Sequence, residues 1–173
     1  MQSAGVSGTR VMIVHMFVLG IDPGLTTTGY AVVTAQEVAA IGVIRTQVGL
    51  PIPERLLEIY RDVTALIREH APSVMAIERV FVNRNLQTAM SVVRASGTAM
   101  LAAAAAGIPV LEYTPSKVKA AVAGYGNATK GQVQRMVALR MGLAEVPSPP
   151  DAADALAVAL CHLQEDGLRR RLP

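Results

Sequence analysis

A chain of 173 residues with 51% hydrophobic and 17% charged side chains can bury one full core and is too apolar to be disordered. Its net charge of +3 and pI of about 9.4 are compatible with a polyanionic partner. The single cysteine, Cys161, excludes an intrachain disulfide; it lies in an apolar helical run and reads as a buried, inert thiol.

Residues 1–15 are expected to be a disordered extension, with Met16 a candidate natural start. A single domain follows over 16–166, and 167–173 form a basic tail around Arg169-Arg170-Arg171. The apolar run Val11–Ile21 is too short to span a bilayer, is interrupted by His15 and is followed by no small-residue cleavage site. It reads as a strand, so no membrane partner is expected and a reducing, cytoplasmic compartment is.

Phe17–Ile21, Gly29–Thr34 and Ala39–Thr46 read as three short strands in an antiparallel meander. Pro51 and Pro53 mark a boundary. From Glu54, the spacing of Leu56, Leu57, Tyr60, Val63, Leu66 and Ile67 predicts a helix that Ala71-Pro72 stops. Ser73–Ile77 is a buried strand, and Phe81–Asn85 a polar loop. A helix over about 85–106 carries Leu86, Met90, Val93, Gly97, Met100 and Leu101 on one stripe. Ile108–Leu111 is a fifth strand, ending at Glu112. Thr114-Pro115 starts a short helix to about Ala123. Thr129 caps a helix to about Met141, and the last helix runs from Asp151 to about Glu165. The expected class is α/β: a mixed five-stranded sheet flanked by helices on both faces.

Of the 13 acids, Asp22 and Glu78 stand out because each ends an apolar strand, where carboxylates are depleted and costly to bury. Asp22 also precedes Pro23-Gly24, so an ordinary Asp-Pro-Gly turn would explain it alone. Asp151 and Asp154 are one turn apart on the same face of an apolar helix. The helix dipole accounts for Asp151, and less well for Asp154. Parallel pairing of the first and fourth strands sets Asp22 beside Glu78. Four such acids repel unless a cation intervenes, and hard oxygen donors select Mg²⁺ or Mn²⁺. Two such ions suit phosphodiester hydrolysis.

In these pieces the sequence resembles the RuvC family of Holliday-junction resolvases, within the RNase H-like superfamily. They are Gly20-Ile21-Asp22-Pro23-Gly24 with Gly29-Tyr30, Ala76-Ile77-Glu78-Arg79-Val80-Phe81, Gln132-Val133-Gln134 after Lys130, and Asp151-Ala152-Ala153-Asp154-Ala155-Leu156-Ala157. The resemblance covers roughly residues 16–165. It implies an RNase H-like fold and a Mg²⁺-dependent crossover junction endodeoxyribonuclease acting in DNA recombination and repair. It further implies that Asp22, Glu78, Asp151 and Asp154 hold two Mg²⁺, with Mn²⁺ able to substitute. Lys119 and Lys130 would lie near the scissile phosphate, and Phe81 would contact bases at the crossover. The implied partners are four-way junction DNA, a second copy in a homodimer, and the branch-migration proteins RuvA and RuvB.

The residues alone add further readings. Lys119 and Lys130 flank the loop Gly124–Asn127, whose glycines permit close approach to phosphate, though a solvated charged face would look the same. Phe81 could wedge between bases or simply edge the core. Arg84 and Lys117 are further candidate DNA contacts, and the helix over 85–106 is the candidate dimer contact. His162, eleven residues past Asp151, is too far along its helix to share a metal with it and reads as a packed or surface histidine. The Gly-Ile-Asp opening also occurs in two-lobed ATP-handling proteins, but this chain lacks their length and second phosphate loop. A junction-binding module without catalysis, or a related nuclease with another nucleic-acid substrate, are the remaining alternatives.

Overall fold

A continuous apolar run forms β1 (Val18–Asp22), and Pro23-Gly24 turns the chain back as β2 (Thr27–Val33), antiparallel to it; β3 (Val38–Arg45) completes the meander. The computed structural model describes residues 16–80 and 86–169. Helix α1 (Ile52–His70) carries the chain over the sheet to β4 (Val74–Glu78), which pairs parallel with β1. Helix α2 (Leu86–Ala105) then leads to β5 (Val110–Tyr113), parallel to β4. Three helices follow: α3 (Pro115–Ala123), α4 (Lys130–Arg140) and α5 (Pro150–Arg169). The strand order is β3-β2-β1-β4-β5.

The sheet separates two apolar layers. On one face, Leu19, Ile21, Met75 and Ile77 pack with Ile59, Val63 and Ile67 of α1 and the alanines of α2. On the other, Ala31, Val33 and Ala76 pack with Leu156 and Val158 of α5, Val118 of α3 and Val137 of α4. β1 and β4, covered on both sides, are near-continuous hydrophobic runs, as buried parallel strands are. Both carry their lone acid at the C-terminal end.

The expected sheet and helices are present, with shifts that have local causes. α1 begins at Ile52 because a proline in the first helical turn sacrifices no hydrogen bond, so Pro53 opens the helix rather than preceding it. β5 starts at Val110, since Pro109 has no N–H and joins the ladder only by accepting from Met75 N at 2.9 Å. α5 continues past Gly167 to Arg169, into the stretch expected as tail. The stripe expected on α2 lies opposite the helix's buried face, with only Met100 of it packed against the core. The buried face is Ala89, Ala95, Ser96, Ala99, Ala102 and Ala103, which lets the helix approach closely, while Leu86, Met90, Val93 and Leu101 are exposed. Cys161 is fully buried, and burial pushes its thiol up to about 11. Among the described residues no helix is long and apolar enough to cross a membrane.

Candidate active site

Register fixes the first pair of acids. Ile21 is level with Ile77 in the parallel β1–β4 pair, so Asp22 and Glu78, the next residues, leave neighbouring strands at the same end. Across the other side of β1, Asp22 pairs with Gly29 of β2. The first turn of α5 lies directly on that glycine: a Cβ at Gly29 would stand 2.0 Å from the carbonyl oxygen of Asp151. Lower down, a Cβ at Gly20 would stand 2.2 Å from the carbonyl oxygen of Ala155. Any side chain at either position would lift the helix off the sheet. The two glycines therefore set the Asp151–Asp154 turn against the end of β1.

The acids sense one another. Burial, then the charges of Asp154, Glu78 and Asp151, raise the Asp22 carboxyl to about 8, with Lys130 opposing. Glu78 is raised by burial and by Asp154, with Lys119 and Lys130 opposing. Lys130 Nζ holds Asp154 Oδ2 at 2.6 Å, and Gln134 Nε2 approaches Asp154 Oδ1 at 3.5 Å. Partial burial works against the Lys130 charge, but the Asp154 hydrogen bond and the charges of Asp154, Asp22 and Asp151 outweigh it and raise its pKa. Lys130 and Gln134 are i and i+4 on α4, so one helix face grips one carboxylate. The start of α4 is fixed by a capping box, in which Thr129 Oγ1 accepts from Gln132 N and Gln132 Oε1 accepts from Thr129 N.

The four carboxyls share one rim and one electrostatic field, but they do not form a closed cage: among the described residues no three His, Cys, Asp or Glu side chains cluster as a ready-made metal site. The donor set is nonetheless all oxygen, and its mutual repulsion is what a hard divalent cation relieves. Asp22, Glu78, Asp151 and Asp154 are the residues that could hold one.

Lys119 lies with Glu78, Lys130 and Asp154 around a small cavity between α3, α4 and α5. Lys117, on the same helix as Lys119, is not brought to the rim: it pairs with Glu165 and sits 5.3 Å over the Tyr113 ring. Phe81 and Arg84 lie outside the described residues. His162 packs as expected, its Nδ1 2.8 Å from Tyr113 Oη. Burial, followed by the charge of Glu165, pushes the Tyr113 phenol up to about 12.

One supporting element is invisible in the sequence. The loop after Asp22 is tied down by Arg55 of α1, which donates from Nη2 to Thr26 Oγ1 and from Nε to Thr46 Oγ1, both at 2.8 Å. Thr46 Oγ1 in turn donates to Leu25 O at 2.6 Å, and Thr28 Oγ1 to Gly24 O at 2.7 Å. Nothing in the spacing of Thr26, Thr46 and Arg55 signals this clamp, which exists only once β2, β3 and α1 are assembled.

Comparison with known proteins agrees with this architecture. The family model described as crossover junction endodeoxyribonuclease RuvC matches residues 18–162. A crossover junction endodeoxyribonuclease RuvC from Syntrophomonas wolfei is 53% identical over 152 residues, 86% of this chain and 88% of the relative. One from Salinispora arenicola is 51% identical, over 91% and 93%. The solved structure of T. thermophilus RuvC in complex with Holliday junction substrate matches with a TM-score of 0.85 and 38% identity, covering 90% of this chain and 97% of that one. The yeast mitochondrial Holliday junction resolvase Ydc2 shares the fold, with a TM-score of 0.64 at 16% identity. With the acids on the strand ends, the sheet order and the match from β1 to α5 in hand, the chain belongs to the RuvC family of crossover junction endodeoxyribonucleases.

Proposed function

We propose that this protein resolves four-way DNA junctions by paired, symmetric hydrolytic nicks, acting in homologous recombination and repair. The observation that carries the reading is the convergence of Asp22, Glu78, Asp151 and Asp154 on one rim, with Lys119 and Lys130 beside them. Carboxylates alone repel a phosphodiester, so a pure binding module gains nothing from four of them. Family membership and the junction-bound relative supply the substrate class.

In this reading the acids bind two divalent ions, Mg²⁺ by preference with Mn²⁺ able to replace it. When bound, such ions neutralise the phosphate, acidify an attacking water and stabilise the leaving oxygen. The chain's own groups do the rest. Asp22 is held by the sheet and by the tied loop after it, so its carboxyl is fixed rather than searching. Lys130 exchanges its Asp154 partner for a DNA phosphate, and Lys119 adds a second positive charge from α3. The products carry a 5′-phosphate and a 3′-hydroxyl.

Symmetric nicking calls for two copies. The exposed Leu86, Met90, Val93 and Leu101 of α2 offer the apolar face for a homodimer, which would match a two-fold substrate. The same reading assigns residues 16–166 to the nuclease domain, residues 1–15 and 167–173 to flanking segments, and the cytoplasm as its compartment, alongside RuvA and RuvB. Phe81 and Arg84 are kept as DNA contacts; Lys117 serves there only if DNA draws it from Glu165. The test is cleavage of a synthetic four-way junction against a linear duplex of the same sequence, with and without Mg²⁺, using the wild type and Asp22→Asn. Paired nicks on the junction, lost without metal and in the variant, are expected. Tight binding with no cutting under any divalent ion would leave only a binding module.

A further inference from the structure

We propose that the apolar groove at the end of the sheet remote from the acidic rim is the seat of this chain's own residues 11–14, Val11-Met12-Ile13-Val14. The groove has a volume of about 340 Å³ and runs between the β2–β3 turn and the C-terminal ends of α4 and α5, with Ala35, Met141, Leu163 and Leu168 on its walls. Leu168 is 56% exposed, and Met141 and Leu163 are half-buried, so this apolar surface faces solvent instead of being sealed in the core.

The chain enters β1 beside the groove. Val18 is level with Val33, so two steps back Met16 comes level with Ala35 on the groove wall. The ladder still holds at Phe17, whose carbonyl accepts from Ser73 N at 2.9 Å. Strand alternation gives Met16 the same face of the sheet as Val18, which packs with α5. On that face α5 runs opposite to β1, from Asp151 over Gly29 to Ala155 and Ala159 over Gly20. The four strand residues from Gly20 back to Met16 span about 13 Å, which a helix covers in about nine residues. That brings α5 to the stretch 163–168 that lines the groove.

Reach and chemistry then select the occupant. Val11 lies five residues before Met16, at most about 17 Å of extended chain, so the backbone holds residues 11–14 beside the groove at high effective concentration. The segment carries no charge. The lining cation, Arg140, is already engaged, donating from Nη1 to Ala121 O at 2.8 Å and to Gln164 Oε1 at 3.3 Å. An acidic peptide or a phosphate gains little there, whereas consecutive aliphatic side chains lose water against an aliphatic wall. The residues after Arg169 fit less well: Arg170 and Arg171 put two charges ahead of Leu172, and the chain would have to double back at once from Leu168. Seated in the groove, residues 11–14 cover Leu168 and strap the start of β1 to α4 and α5 without touching the acids.

Limited trypsin digestion of the full chain reads this out at the Arg10–Val11 bond, which the seated segment shields. Leu168→Gln, at the other end of the sequence, should speed that cut about tenfold through loss of one aliphatic contact, with circular dichroism unchanged. Ile13→Asn should do the same, and the two substitutions together should add nothing beyond either alone. Leu139→Gln, exposed on α4 outside the groove, should leave the cut at the wild-type rate. The proposal falls if the bond is cut equally fast in the wild type and Leu168→Gln, or if Leu139→Gln matches Leu168→Gln. Protection that rises with protein concentration would seat a second copy's segment in the groove and also overturn it.

Discussion

Replacing Asp22 by Asn should make the metal-free protein more stable at pH 8 while destroying cleavage. The folded carboxyl titrates at about 8 against an ordinary value of 3.8, because burial and three acidic neighbours disfavour its charge. A carboxyl raised in this way burdens neither state below about pH 3.8, where both are protonated. Folding stability then declines as pH climbs toward and through 8, because only the unfolded chain ionises freely. At about 1.36 kcal/mol per pH unit, the ceiling on that loss at pH 8 is about 5 kcal/mol. Asp22 is only half-buried, and water and Lys130 screen it, leaving about 1–3 kcal/mol. For a chain of this length that is roughly 3–10 °C in Tm. Thermal melts in EDTA at pH 5 and pH 8 measure it: the variant should gain at pH 8 and little at pH 5. Mg²⁺ should raise the wild-type Tm at pH 8 and narrow the gap. A variant that is less stable at pH 8, or a difference that ignores pH, would refute the electrostatic account of this rim.

Gly29→Ala should cost about 1–3 kcal/mol in denaturant unfolding and lower junction cleavage about 100-fold, because its Cβ collides with the Asp151 backbone and displaces the acid pair. Gly167→Ala, in the same helix with nothing near its Cβ, should instead add about 0.5–1 kcal/mol and leave cleavage alone. Under the proposed homodimer, Met90→Glu should place a charge in the exposed α2 face and shift the protein toward its 18.2 kDa monomer in sedimentation, with its circular dichroism unchanged; a wild type that sediments as a monomer refutes the dimer, and a variant that still dimerises moves the contact off this face.

What the sequence made legible were the costs it openly incurs. A carboxylate at the end of an apolar strand is unfavourable enough to stand out, and β1 and β4 each carry one. The acid pair opening an alanine-rich helix is similarly conspicuous. The sheet followed because continuous apolar runs separated by helical periods admit few topologies. Less legible was which side of a helix faces inward. On α2 a stripe of large apolar side chains and a face of alanines both read as packing surfaces; the alanines face inward, since a small-residue face allows the closest contact, and the bulky face is left outside. Pairings between distant residues were not legible at all. The sequence sets Lys117 and Lys119 side by side as candidate DNA contacts, but on a helix they diverge by about 200°, and only Lys119 reaches the cavity that Glu78 and Asp154 share, while Lys117 meets Glu165.

The same contrast explains how the site is held. Four acids on one rim oppose folding, so something stiffer than their own contacts must keep them there. The stiffness comes from backbone rather than side chains: Asp22 and Glu78 are placed by strand register, and Asp151 and Asp154 by a helix that touches the sheet through two glycines. Backbone contact of this kind cannot relax by a rotamer change. The loop after Asp22 is held twice over, by the Arg55–Thr26–Thr46 network and by Leu25, which is buried in the core. An unfavourable charge cluster thus survives because the elements bearing it have no alternative position. This is why removing the charge at Asp22 should add stability, whereas a single methyl group at Gly29 should cost stability and displace the acid pair.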